Sequence, residues 1–117
     1  MKKLGKYFVE PFKNVRIETA VKNQVIMYID NDSSKEHLRI FQSYTSIICI
    51  IDMDNYTIWV SDKWNFSITT AKYFYQFLFK FLNIHVTKKD VESALERGYI
   101  ESGNLKIYEF FIYENLK

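Results

Sequence analysis

Residues 69–83 read Thr-Thr-Ala-Lys-Tyr-Phe-Tyr-Gln-Phe-Leu-Phe-Lys-Phe-Leu-Asn. No other stretch limits the fold as strongly. Placed on a helical wheel at about 100° per residue, Lys72, Gln76, Lys80 and Asn83 fall in one narrow polar arc. Ala71, Tyr73, Phe74, Tyr75, Phe77, Leu78, Phe79, Phe81 and Leu82 fill the rest. A surface helix of a globular protein carries an apolar stripe only a little wider than ~100°, so one sheet cannot cover this helix. Either the N-terminal lead-in and the last strand complete its cover, or a second subunit does. Monomer and homodimer both remain open.

The residues around this helix supply strands. Residues 44–52 are apolar on both faces, with Ile47, Cys49 and Ile51 against Ile48 and Ile50, which is the pattern of a central strand covered twice. Residues 14–21 alternate, with Val15, Ile17, Thr19 and Val21 opposite Asn14, Arg16 and Glu18, as a half-buried strand does. Lys22-Asn23 then suits a two-residue turn, and residues 24–30 return with Val25, Met27 and Ile29 on one face. Residues 36–42 read as a third strand or as a helical turn. Met53-Asp54-Asn55 turns the chain into residues 56–61, where Tyr56, Ile58 and Val60 oppose Thr57 and Trp59.

Residues 63–68 form a corner, and Ser67 or Thr69 can cap the helix that follows by accepting from a backbone N–H. Thr87 with Asp90 has the outline of a capping box for a second helix that carries Arg97 near its end and stops at Gly98. Ser102-Gly103-Asn104 turns into a last strand, residues 105–113, aromatic on both faces. The expected fold is α+β: an antiparallel sheet of five or six strands with two helices mostly on one face. The organisation is a single domain over residues 1–117, in four parts. Residues 1–13 are a basic, aromatic lead-in in which Leu4, Tyr7 and Phe8 suit a short helical turn that Pro11 would end, residues 14–61 are strands and hairpins, residues 69–97 hold two helices, and residues 105–113 are the last strand.

Composition narrows the function classes. Sixteen basic against fourteen acidic residues give a net charge of +2, too balanced for an acidic nucleic-acid mimic and weak support for a nucleic-acid binder. The single cysteine, Cys49, lies in the run Ile47-Ile48-Cys49-Ile50-Ile51 and reads as a small buried hydrophobe. No window approaches the ~18 apolar residues of a membrane span, and the expected compartment is the cytoplasm.

The patterns that would carry catalysis are missing from the sequence. His37 and His85 have no ligand-spaced partners. The run Asp30-Asn31-Asp32-Ser33-Ser34 has the outline of a calcium loop, but the last ligand position falls on Phe41. No glycine-rich loop exists to cradle phosphate, and Ser43, Ser67, Thr69 and Thr70 lack an activating motif. A non-enzymatic protein without metal or cofactor is expected. Lys88-Lys89 opens a helix, the end where positive charge is locally unfavourable, which points to an acidic partner.

Ser43-Tyr44-Thr45, two short strands, and then Trp64-Asn65-Phe66-Ser67-Ile68-Thr69-Thr70-Ala71-Lys72 resemble a family of short proteins carried by phages and mobile elements of low-GC Gram-positive bacteria. That family shows a Ser-Tyr strand and an aromatic-Ser-x-Thr-Thr-x-basic corner leading into a helix. The likeness covers residues 43–83, and Tyr73 stands where the family tends to carry His. The resemblance implies an accessory protein of a phage or mobile element, of the kind that blocks a host defence nuclease as anti-CRISPR proteins do. The alternative is a small regulatory protein that binds nucleic acid directly. For either, the expected contact residues are Trp59, Lys63, Trp64 and Lys72. Strand alternation turns Trp59 away from Ile58 and Val60, so it is either exposed as an anchor or covered by Tyr7 or Phe8 of the lead-in.

Overall fold

The computed structural model describes residues 14–31 and 36–113. The expectations for the lead-in, including cover of Trp59 by Tyr7 or Phe8, lie outside the described residues, as does most of the 30–34 loop. The chain runs β1 (Asn14–Val21), β2 (Gln24–Asn31), β3 (Glu36–Ser43), β4 (Ser46–Asp52), β5 (Thr57–Val60), α1 (Ile68–Leu82), α2 (Lys88–Arg97), β6 (Tyr99–Glu101) and β7 (Ile107–Ile112). The seven strands form one sheet in the order β1-β2-β3-β4-β5-β7-β6. The first five make an antiparallel meander. The chain then crosses one face through both helices and returns as β6 and β7. β7 lies parallel to β5, pairing Trp59 with Phe111 and Ile58 with Phe110.

The α+β class and the two helices are as expected, but the sheet is larger than five or six strands and is mixed. β6, Tyr-Ile-Glu directly after the C-cap Gly98, is too short to show alternation. The parallel pair follows from the helical crossover, since parallel neighbours need a long connection.

Both helices are capped as their sequences dictate. Ser67 accepts from the Thr70 backbone N–H, and Asn83 closes α1 in the left-handed region at φ 54°. Thr87 and Asp90 form a reciprocal capping box on α2, and Gly98 closes it at φ 86°. Gly103 is required by close approach. Its N–H donates to the Leu82 carbonyl at 2.7 Å, and a Cβ there would sit 2.2 Å from the Asn83 carbonyl oxygen.

Two apolar clusters lie on opposite faces of the sheet. The larger joins Phe74, Phe77, Leu78 and Leu82 of α1 and Val91 and Ala94 of α2 to Phe41, Cys49, Ile51, Ile58, Val60 and Phe110. A bulge at Phe41/Gln42 skips Ile48 in the pairing. Ile48 and Cys49 therefore both join the helix-side cluster while Ile47 and Ile50 join the other. The second cluster is Ile29, Leu38, Ile40, Ile50 and Trp59, flanked by Met27, Ile47, Phe111 and Tyr113.

Trp59 is fully buried there. Its ring meets Phe111 edge-on at 4.8 Å and Tyr113 at 5.1 Å. Alternation does turn it away from the helices, as its sequence predicts, but that face is a second core, and the expectation of an exposed anchor is corrected. The half-buried reading of β1 is corrected as well. Arg16, Ile17, Glu18 and Thr19 are all exposed on β1, the edge strand of the sheet.

Cover of α1 is largely internal. Phe77 is buried, Tyr73, Tyr75 and Phe81 are half-buried, and Phe79 is 43% exposed with its ring stacked on His85 at 4.3 Å. Phe77→Glu is expected to unfold the protein and Phe79→Glu to leave it folded, read from the thermal transition by circular dichroism. Trp59→Ala is expected to cost about 3–5 kcal/mol in urea denaturation, as truncations of large buried aromatics do. A loss below about 1 kcal/mol, the scale of a surface change, would contradict its place in the second core.

Candidate interaction corner

The corner between β5 and α1 is built from short local bonds. Ser61 is buried. Its N–H donates to the Ile48 carbonyl at 2.7 Å, and its hydroxyl accepts from the Lys63 N–H at 3.1 Å. The Trp64 N–H donates to the Ser61 carbonyl and the Phe66 N–H to the Lys63 carbonyl, each at 3.2 Å. These turns drive the Trp64 side chain inward, where its ring lies 5.8 Å from Phe74 and 6.4 Å from Tyr75. Phe66 is left outside.

Three hydroxyls then fasten the corner to the sheet. Ser67 Oγ accepts from the Thr70 N–H at 3.1 Å and donates to Thr70 Oγ1 at 3.1 Å. Thr70 Oγ1 and Ser43 Oγ share a hydrogen bond at 2.9 Å. Ser43 and Thr70 are fully buried, so each needs this partner. Tyr44 follows Ser43 with φ 56°, and its N–H donates to the Asn23 carbonyl at 2.7 Å, which ties the β3–β4 turn to the β1–β2 turn.

The result is an exposed apolar surface. Ile68 is 90% exposed, Phe66 60% and Tyr44 51%. Phe66 stands as a ridge between two shallow depressions. One, of about 430 Å³, lies against Tyr44, Thr45, Ser46 and Thr69. The other, of about 300 Å³, lies against Ile68, Ala71, Tyr75 and Lys88. The first turn of α1 carries no acidic residue, and Lys63, Lys72 and Lys88 are exposed. A grouped apolar surface ringed by charge is what an interaction site presents, whereas a single exposed apolar residue is not.

The four residues expected from the sequence do not form one patch. Trp59 belongs to the far-side core and Trp64 is 4% exposed in the helix-side core. Lys63 and Lys72 are on the surface, and Lys72 Nζ lies 5.4 Å from the centre of the Tyr73 ring. The residues missed are Tyr44, Phe66 and Ile68. Ile68 directly follows the cap Ser67 and lies outside the stripe that the buried Phe74, Phe77 and Leu78 define, a stripe that the sequence of so apolar a helix does not single out.

Among the described residues, no group of three or more His, Cys, Asp or Glu is placed to hold a metal ion. His37 Nδ1 instead meets Asp54 at 2.9 Å. Asp52, buried, accepts from the Asp54 and Asn55 N–H groups at 3.0 Å each and from Asn55 Nδ2 at 2.8 Å. It therefore shapes the β4–β5 turn. Burial pushes the Cys49 thiol well above its ordinary pKa, which removes the thiolate that reacts.

Two outcomes follow from this geometry. Ser67→Ala is expected to lower stability by about 1 kcal/mol through loss of the cap. In a double-mutant cycle, Ser43→Ala and Thr70→Val are expected to be non-additive because they share one buried bond; additive losses would mean the hydroxyls do not pair. Cys49 is expected to resist a thiol reagent in the native protein and to react fully once urea unfolds it.

No curated protein and no solved structure matches the chain. No helix among the described residues is long and apolar enough to cross a membrane. A family model described as "Family of unknown function (DUF8033)" matches residues 15–93, a span that takes in the meander, the corner, all of α1 and the start of α2. On that match, over more than half of its length, the chain belongs to the DUF8033 family.

Proposed function

We propose that the protein is a non-enzymatic binding protein of a phage or mobile element, and that it docks on a host defence nuclease through the Tyr44–Phe66–Ile68 corner and inhibits it. The observation that carries the docking surface is Ile68, 90% exposed at the start of α1 beside a 60% exposed Phe66. Leaving these side chains in water gives up burial worth roughly 1.5–3 kcal/mol each, and a partner would recover it. The lysines around them, Lys63, Lys72 and Lys88, favour a partner with an acidic rim. The mobile-element setting and the choice of a nuclease rest on the resemblance of residues 43–83 to accessory proteins of that kind. Direct nucleic-acid binding is the second reading, favoured by an exposed aromatic ring among lysines, an arrangement that stacks bases.

The test is capture from a host lysate with the wild-type protein and with Ile68→Asp and Phe66→Ser, followed by cleavage assays on the captured nuclease. Both variants should stay close to the wild-type Tm, since both side chains are mostly exposed. Loss of an interface anchor costs ~2 kcal/mol or more of binding, about thirtyfold in affinity, and inhibition should fall with it. Equal capture and inhibition by both variants would rule out this corner. A mobility shift on nucleic acid that weakens steeply between two salt concentrations would instead favour direct binding.

A further inference from the structure

A cavity of about 180 Å³ lies between α1 and the β1–β3 end of the sheet. Ile26, Phe41 and Phe77 give it apolar walls, with the Phe41 and Phe77 rings stacked at 5.7 Å and 29°. Its exposed lining, Glu18, Gln76 and Lys80, marks the opening. Lys80 Nζ donates to Glu18 Oε1 at 2.9 Å across the α1–β1 gap. The two charges satisfy one another, so the opening offers no net charge to recruit an ion.

Gln24 is the exception in this wall. It is 1% exposed, and neither its amide oxygen nor its amide nitrogen has a hydrogen-bond partner. Among the described residues, the other buried serines and threonines and Asp52 are bonded. Ser43 and Thr70 pair with each other, Asp52 holds its turn, and Ser61 accepts from Lys63. Thr57 donates to the Asn55 carbonyl and Ser102 accepts from the Lys106 N–H. A buried amide without partners is costly, and a leucine would fill the same place without that cost.

We propose that this cavity binds a small planar heterocycle that presents a hydrogen-bond donor beside an acceptor, the amino and ring-nitrogen edge of an adenine-type base, with Gln24 pairing to that edge. A glutamine amide matches this edge bidentately. The last torsion of a glutamine is soft, so the amide turns to its ligand at little cost. The Phe41 and Phe77 rings supply the apolar wall. A dry cavity of about 150 Å³ admits benzene, so this one takes a ring and lets the remainder of the ligand reach the opening. This site is separate from the Phe66 corner and does not depend on the function proposed for it.

The test is titration of the full-length protein with millimolar adenine and with purine, which lacks the exocyclic amino group, both as their 9-methyl derivatives so that neither offers the N9–H and N3 edge that the free bases share, followed by two-dimensional NMR. Adenine is expected to shift the Gln24 side-chain amide and the signals of Ile26, Phe41 and Phe77. Purine is expected to bind about tenfold more weakly, the loss of one hydrogen bond. Gln24→Leu is expected to keep or raise Tm and to weaken adenine binding about tenfold. Absence of any shift with adenine would overturn the proposal. So would equal binding of purine and adenine, which needs no variant to fold, or an unchanged affinity in a folded Gln24→Leu protein.

Discussion

The structure depends on a sheet that is buried from both sides along β4 and β5. Ile48, Cys49, Ile50, Ile51, Ile58, Trp59 and Val60 are each fully removed from water, and they belong by turns to the helix-side and far-side clusters. A strand in that position cannot sit at an edge, so β5 needs a neighbour on the side away from β4. The chain supplies it as β7, in parallel, after the two helices have crossed the face. The crossover places α1 and α2 over the sheet, and α2 packs against the returning strands rather than against the meander. The wide apolar arc of α1 is thereby largely covered within one chain, apart from Phe79 and Ile68.

What the sequence revealed and what it concealed divide by distance along the chain. The caps were legible because each is local chemistry. Thr87 and Asp90 are three residues apart, Ser67 stands three before Thr70, and Gly98 and Asn83 adopt the left-handed geometry their types allow. The hairpins were legible for the same reason. The pairing of Thr57 with Glu109 was not, because half the chain separates them and nothing near either residue specifies the other. Trp59 shows a subtler gap. Alternation gave the correct face, but whether a face meets solvent depends on what packs there, and its neighbours Phe111 and Tyr113 lie in and just after β7, more than fifty residues later. For β1 the converse holds: alternating Val15, Ile17, Thr19 and Val21 suggested a buried side, while an edge position leaves Ile17 63% exposed.

The corner separates structural residues from those in excess of structural need. Ser43, Ser67 and Thr70 of the family-like motif are used up in holding α1 to the end of β3, and Trp64 is used up in the core. They explain why such a motif marks a fold. Phe66 and Ile68 lie within the same stretch and are not used by the fold in this way. A helix tolerates serine or lysine at the Ile68 position at least as well, so local stability does not account for a β-branched apolar residue left 90% exposed.

Polar burial gives the same kind of argument in reverse. This chain meets the needs of its buried hydroxyls and of Asp52 with partners two to four residues away, or, for Ser43 and Thr70, with one another between β3 and α1. Gln24 lies at the same end of the sheet, opposite Ser43 in the β2–β3 register, and the Ser43 hydroxyl is bonded to Thr70 while the Gln24 side-chain amide has no partner. Adjacent positions in one register are thus handled in opposite ways. The difference is not a want of suitable side chains nearby, since Gln76, Tyr73 and Lys80 line the same cavity. Those groups are kept at the opening, and the amide is kept at the wall. A flat ligand with a donor beside an acceptor, as proposed for this cavity, would give the Gln24 amide the partners that the fold does not.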